Sequence, residues 1–228
     1  MLKPGPAAAF VRRLTPAKVC AALRPHLTEQ RAERIDTVLA QRLTCLTVVV
    51  ENLHDPHNGA AALRSAEGVG LQDFHAVEQR ERFPIAKNVA RSCDQWMDLH
   101  RHATLQECYG ELRRGGFAVW ASTPAGSVPL EELPVGRPLA LVFGNERDGL
   151  TEEALTEADG SFAVGMHGFT GSFNLSVSVA LAIYTQADRM RAAMGRNGDL
   201  PAERLEWLRA LWYCLSVRAA GPILEREL

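Results

Sequence analysis

Short runs of β-branched and apolar residues alternate with helical stretches along most of this chain, and that alternation constrains its fold more than any other feature. Leu46–Val50, Leu71–Val77, Phe117–Ala121, Leu139–Phe143 and Ser161–Val164 have the length and composition of buried strands. Helical spacing fills the intervals: Thr28 to about Gln41 with Thr28 as N-cap, Asn58–Val69, Thr104–Arg114, Thr151–Ala158 and Asn174–Arg191. Strands separated by helical crossovers pair in parallel, so the expected fold is α/β, a parallel β-sheet flanked by helices. Residues 1–15, with Pro4, Gly5 and Pro6, read as loosely ordered. Glu78–His102 reads as an irregular region, and Pro201–Ala219 as a C-terminal helix beyond the break at Gly195–Gly198.

In sheets of this kind ligands sit at the carboxyl ends of strands. The unusual residues cluster at three such places. After Val50, the turn Asn52–His57 leads to Asn58, a candidate helix cap, and to Arg64, which a helix rich in small residues leaves able to reach a phosphate or carboxylate. After Phe143 comes a loop bracketed by Gly144 and Gly149, whose backbone amides can approach a planar ligand. After Val164, the glycines 165, 168 and 171 precede Ser172 and Asn174 at the start of a helix that is apolar on nearly every side to Ile183 and so reads as buried. A buried helix that starts with Ser and Asn at a glycine-lined loop suits a small, mostly apolar cofactor.

Several chemistries are excluded on residue type. Leu150 stands where a P-loop needs its lysine, no GxGxxG follows a strand, and neither HExxH nor GxSxG occurs. The five cysteines form no CxxC and are odd in number, which speaks against a zinc or disulfide framework and for a reduced, cytoplasmic setting. Neither a signal peptide nor a run long enough to span a membrane is evident, so no membrane association is expected. The net charge of −2 is unevenly spread: residues 1–42 carry +5 and the remainder −7. A basic arm on an acidic body offers phosphates a local docking surface.

Asn58 with Arg64 six positions on, then Phe-Gly-Asn-Glu-Arg-Asp-Gly-Leu from Phe143, then Ser172-Phe173-Asn174 resemble, in order, motifs 1, 2 and 3 of the TrmH family of SPOUT RNA 2′-O-methyltransferases. The resemblance covers roughly residues 28–192. It implies a C-terminal deep trefoil knot, N- and C-terminal helical extensions, a homodimer, and S-adenosylmethionine as methyl donor, with S-adenosylhomocysteine as product and no metal. The implied division is a basic extension at 1–45, the methyltransferase domain at 46–192 and a helical extension at 193–228. By position, Arg64, Asn58, Glu146, Ser172 and Asn174 correspond to catalytic and substrate-positioning residues, and Ser122, Gly144, Val164 and Phe173 to cofactor contacts. Arg31 and Arg34 match an RNA-contacting helix. Gly165 stands where the family usually has proline, and Phe173 where it has leucine. The expected substrate is tRNA, at the D-loop guanosine (tRNA position 18). The alternatives are a ribosomal RNA nucleotide, or a noncatalytic RNA-binding member of the fold.

Overall fold

The computed structural model describes residues 4–79 and 93–228. The β1 strand (Leu46–Glu51) runs through the centre of the sheet and is buried along its whole length. It pairs in parallel with β2 (Asp73–Val77) on one side and with β6 (Leu139–Phe143) on the other. The remaining strands are β3 (Asp98–His102), β4 (Ala118–Ser122), β5 (Val128–Pro129) and β7 (Gly160–Ala163), and the order across the seven-stranded sheet is β3-β2-β1-β6-β4-β7-β5. Every pairing is parallel, as the strand–helix alternation requires. The chain builds outward from β1 to β3, crosses to β4, and returns to insert β6 between β1 and β4. That reversal creates a crevice at the carboxyl ends of the central strands.

Alternate residues of each strand face opposite ways, and the sheet is covered on both sides. Val48, Val50, Phe74, Leu141 and Phe143 share a core with α4 (Pro56–Val69) and α7 (Leu175–Met194). Val49, Val77, Val119, Ala140 and Val142 pack with α5 (Leu105–Arg114) and with Ala154 of α6 (Glu152–Glu157). α7 is less enclosed than its composition suggested: Val177 is 43 % exposed, Leu181 41 % and Tyr184 72 %.

The segments up to Arg42 and from Asn197 onward form a second compact unit. It contains α1 (Pro4–Leu14), α2 (Pro16–Leu23), α3 (Glu29–Leu39), α8 (Ala202–Ser216) and α9 (Ala220–Glu225). α1 corrects the expectation of loose order: past its opening prolines, Ala7, Val11 and Leu14 fall at helical spacing and are buried. Thr28 caps α3 as expected, accepting from the Arg31 N–H at 3.2 Å. Within this unit the Arg42 side chain is fully buried over the Trp212 ring, 5.1 Å from its centroid.

The region 78–102 holds a further correction: β3 ends it, paired in register with β2. Most of the rest of that region, residues 80–92, lies outside the described residues. All five cysteines are free, and no helix among the described residues is long and apolar enough to cross a membrane.

Candidate active site

Three polar loops leave the crevice beside β6. In the first, Pro56 opens α4 where its fixed φ suits a helix, and Asp55 caps the helix by accepting from the His57 N–H at 2.8 Å. Asn58 is therefore not the cap, contrary to the sequence reading. It lies buried in the first turn, with its amide released for other work.

In the third loop Asn174 does cap α7. Its Oδ1 accepts from the Ser176 N–H at 2.9 Å and from the Ser176 hydroxyl at 2.7 Å. A backbone N–H must meet oxygen, so the cap fixes which way the amide points. Its Nδ2 then donates to Asn58 Oδ1 at 3.1 Å, and Asn58 Nδ2 donates to Glu146 Oε1 at 2.6 Å. The cap on one helix thereby sets the direction of a relay through a second helix to a carboxylate on the second loop.

That second loop is tightly drawn. Asn145 and Gly149 exchange backbone hydrogen bonds of 3.1 Å, and Asn145 Oδ1 accepts from the N–H groups of Arg147 and Asp148 at 2.9 and 2.8 Å. Gly149 takes φ +71°, which favours glycine, and a Cβ on Gly144 would fall 2.0 Å from the Gly149 carbonyl carbon. At the loop's far end the buried Glu51 accepts from the Thr151 N–H and hydroxyl at 2.9 and 2.6 Å. This second carboxylate is engaged in bracing α6, whose cap is Thr151.

Two adjoining clefts, about 360 and 450 Å³, open beside these loops and share Ser122, Thr123, Pro124, Ser172, Phe173 and Ser178. The smaller extends along Ala163–Met166 and is lined entirely by uncharged residues. The larger runs under 143–150, with Glu146, Arg147 and Asp148 on its wall. Gly126 holds the wall close, since a Cβ there would meet the Phe162 carbonyl carbon at 2.1 Å.

Residues 45–184 match the SpoU rRNA Methylase family. The chain belongs to this family. A tRNA (guanosine(18)-2′-O)-methyltransferase of Thermus thermophilus is 34 % identical over 187 residues, covering 81 % of this chain and 96 % of that protein. The enzyme of the same name from Escherichia coli is 34 % identical, covering 75 % of this chain and 76 % of its own length. The crystal structure of an A. aeolicus TrmH/SpoU tRNA modifying enzyme superposes with TM-score 0.73 at 25 % identity, over 83 % of this chain and 98 % of that one.

Within this SpoU domain the structure brings together most of the residues singled out from sequence. Asn58, Glu146 and Asn174 form the relay, and Ser172 lines both clefts. Ser122 and Phe173 also line both, Gly144 the larger and Val164 the smaller. Arg64 stands apart: exposed, outside both cleft linings, and with no hydrogen bond or ion pair among the described residues. Arg31 and Arg34 lie on α3, outside the stretch matched by the family. Both are exposed, and Arg31 donates to the Ser216 hydroxyl at 3.2 and 3.1 Å. Sequence reasoning missed Thr123, Pro124 and Ser178 in the cleft walls and Ser176 in the cap. Thr123 and Pro124 directly follow a strand end, which was the available signal.

Proposed function

We propose that this chain transfers a methyl group from S-adenosylmethionine to the 2′-hydroxyl of a guanosine in tRNA, the D-loop guanosine 18. The observation that carries the reading is the Asn174–Asn58–Glu146 relay at the glycine-lined clefts, in a chain matched along four-fifths of its length by a Thermus enzyme of that name. The clefts suit the cofactor in size and chemistry. Their volumes fall in the range of small-molecule sites, and the uncharged lining of the smaller cleft, with the Phe173 ring, suits an adenosine. Ser122, Gly144, Val164 and Phe173 would hold it, and when bound it supplies the electrophilic methyl.

The protein's own work is alignment and charge control. Ser172 and the relay fix the ribose beside the cleft, with Asn58 kept in one orientation from both ends. The 2′-hydroxyl gives its proton to solvent as its oxygen takes the methyl, whose bond to sulfur would break as the bond to oxygen forms, leaving S-adenosylhomocysteine. Arg64, exposed on α4, stabilises the developing alkoxide, a role that suits a guanidinium better than base work because it stays protonated. Transfer itself requires no metal.

The same proposal assigns 1–45 to RNA contact through Arg31 and Arg34, 46–192 to catalysis within a knotted domain, and 193–228 to a helical extension. It includes a homodimer, supported by Val177, Leu181 and Tyr184, which recur at i, i+4 and i+7 along α7 and remain exposed. A tRNA-modifying enzyme of this kind works in the cytoplasm. The test is transfer of labelled methyl from S-adenosylmethionine to unmodified tRNA transcripts, with ribosomal RNA alongside and products mapped by nucleotide. Label in 2′-O-methylguanosine 18 is expected. Label in ribosomal RNA alone overturns the substrate, and no transfer to either overturns the activity.

A further inference from the structure

The opposite face of the sheet carries a cluster of metal-ligand side chains that methyl transfer does not use. β2 and β3 pair in register, His75 beside His100 and Val77 beside His102. Residues two apart share a face, so His75, His100 and His102 all stand on the side covered by α5. α5 answers with Cys108 and, one turn on, Glu111. His75, His102 and Cys108 are all buried, and their ligand atoms lie within 4.8 Å of one another. His75, His100 and Glu111 form a second such group that shares His75.

The geometry inside the cluster is already that of a clamp. His75 Nδ1 and His102 Nε2 stand 2.9 Å apart and share one hydrogen. The His75 ring stacks on His100 with centroids 4.5 Å apart and on His102 at 5.2 Å. Asp73 Oδ1 lies 2.9 Å from His100 Nε2, and Glu111 Oε1 lies 3.5 Å from His100 Nδ1. Asp73 and Glu111 hold His100 in one orientation, and its ring in turn backs that of His75. Tetrahedral zinc, with bonds of about 2.0–2.1 Å to nitrogen and about 2.3 Å to sulfur, sets its ligand atoms roughly 3.3–3.7 Å apart. The two ring nitrogens, 2.9 Å apart, need only part slightly to reach that spacing.

We propose that His75, His102 and Cys108 bind a zinc ion as a structural clip between the β2–β3 edge of the sheet and α5, with Glu111 or water in the fourth position. On binding, the Cys108 thiol gives its proton to solvent, and the hydrogen between the histidines passes through solvent to the far nitrogen of the ring that carried it, so that both facing nitrogens are free to ligate and both imidazoles stay neutral. Two neutral imidazoles and one thiolate then face the dication, and the carboxylate of Glu111 completes neutrality. Two strands and one helix supply the ligands, which is why no CxxC or HExxH announces the site.

The experiment is to strip the purified full-length protein with chelator, then titrate it with Zn²⁺ alone, and separately with Co²⁺ to read thiolate-to-metal charge transfer in the near ultraviolet. The expected result is about one equivalent bound per chain, a charge-transfer band, and a thermal midpoint raised by Zn²⁺. Cys108→Ala should remove the band, and both Cys108→Ala and His102→Gln should weaken Zn²⁺ at least tenfold. Far-ultraviolet circular dichroism of each metal-free variant establishes that it is folded. Absence of binding overturns the proposal, and so does binding that folded Cys108→Ala and His102→Gln leave unchanged, since the ion would then sit elsewhere.

Discussion

Asn174 does two jobs with the two ends of one amide, and the two can be separated. Its oxygen caps α7 and its nitrogen orients Asn58. Aspartate caps a helix about as well as asparagine but has no donor to give. Asn174→Asp should therefore keep its thermal midpoint near the parent's while kcat falls tenfold or more. Asn174→Ala should lose both, with about 1 kcal/mol of stability going with the cap. If Asn174→Asp kept the parent's kcat, the relay would be an incidental feature of the cap. Arg64 poses the complementary case, because it makes no hydrogen bond to the relay. Arg64→Ala is expected to lower kcat by roughly 10²–10³, the scale for one electrostatic stabiliser of a developing oxyanion, with cofactor affinity within about twofold. Isothermal titration with the cofactor checks the second half, and a parallel loss of binding would place Arg64 in the cofactor site. That Asn58 and Asn174 stand at helix starts just beyond strand ends was legible in the sequence. That they touch was not, because the partners are 116 residues apart in sequence and Asp55 had taken the capping role first assigned to Asn58.

At the scale of elements, legibility followed burial. β1 and β6 announce themselves because both their faces are buried and both therefore read as apolar. β3 does not, since Asp98-Leu99-His100-Arg101-His102 is polar and stands at the end of the sheet, where hydrophobicity gives no cue. α1 was hidden by prolines and glycine at its start, although a helix tolerates proline in its first turn. The loop after β6 was legible as a site but not as a close crossing of two backbones. Gly144→Ala must displace that loop, and cofactor affinity should drop tenfold or more, measurable by equilibrium binding. β2 and β3 also make a pH prediction for the metal-free protein. Burial first, and then the neighbouring His100 and His102, push the His75 pKa down from 6.5 to about 3, against the pull of Asp73. The folded state thus resists a proton that the unfolded chain accepts, so stability present above pH 6.5 is lost progressively as pH falls toward 3. His100 runs the other way: its hydrogen bond to Asp73, aided by the charges of Asp73, Glu111 and Asp98, raises its pKa against burial. It contributes stability that is full below 6.5 and fades as pH rises through its raised value. Imidazole resonances followed by NMR should show His100 titrating above 6.5 while His75 stays neutral at pH 5. A His75 that protonates near 6.5 would mean that this part of the sheet is open to water.

For the whole molecule the decisive property is how charge and apolar surface are distributed, not their totals. A net charge of −2 gives no general attraction for RNA, yet the chain up to residue 42 carries +5. The exposed apolar residues of α7 are a second asymmetry, one suited to pairing with a copy of the same chain. Leu181→Glu with Tyr184→Glu should therefore yield a monomer in sedimentation, while a parent that is itself monomeric would remove the dimer from the proposal. The basic segment makes the sharper prediction, because phosphate contacts have a salt signature. Each phosphate neutralised contributes about 0.7–0.9 to the slope of log affinity against log salt. Replacing Arg31 and Arg34 together by alanine should weaken tRNA binding at every salt concentration and flatten that slope by roughly one to two. Because neither residue lines the clefts, kcat at saturating tRNA should hold while KM rises. Arg31 also donates to Ser216, so Ser216→Ala is the control that reports loss of that bond alone. A salt slope unchanged in the double variant would leave α3 as a solvated face and move RNA recognition onto the SpoU domain itself.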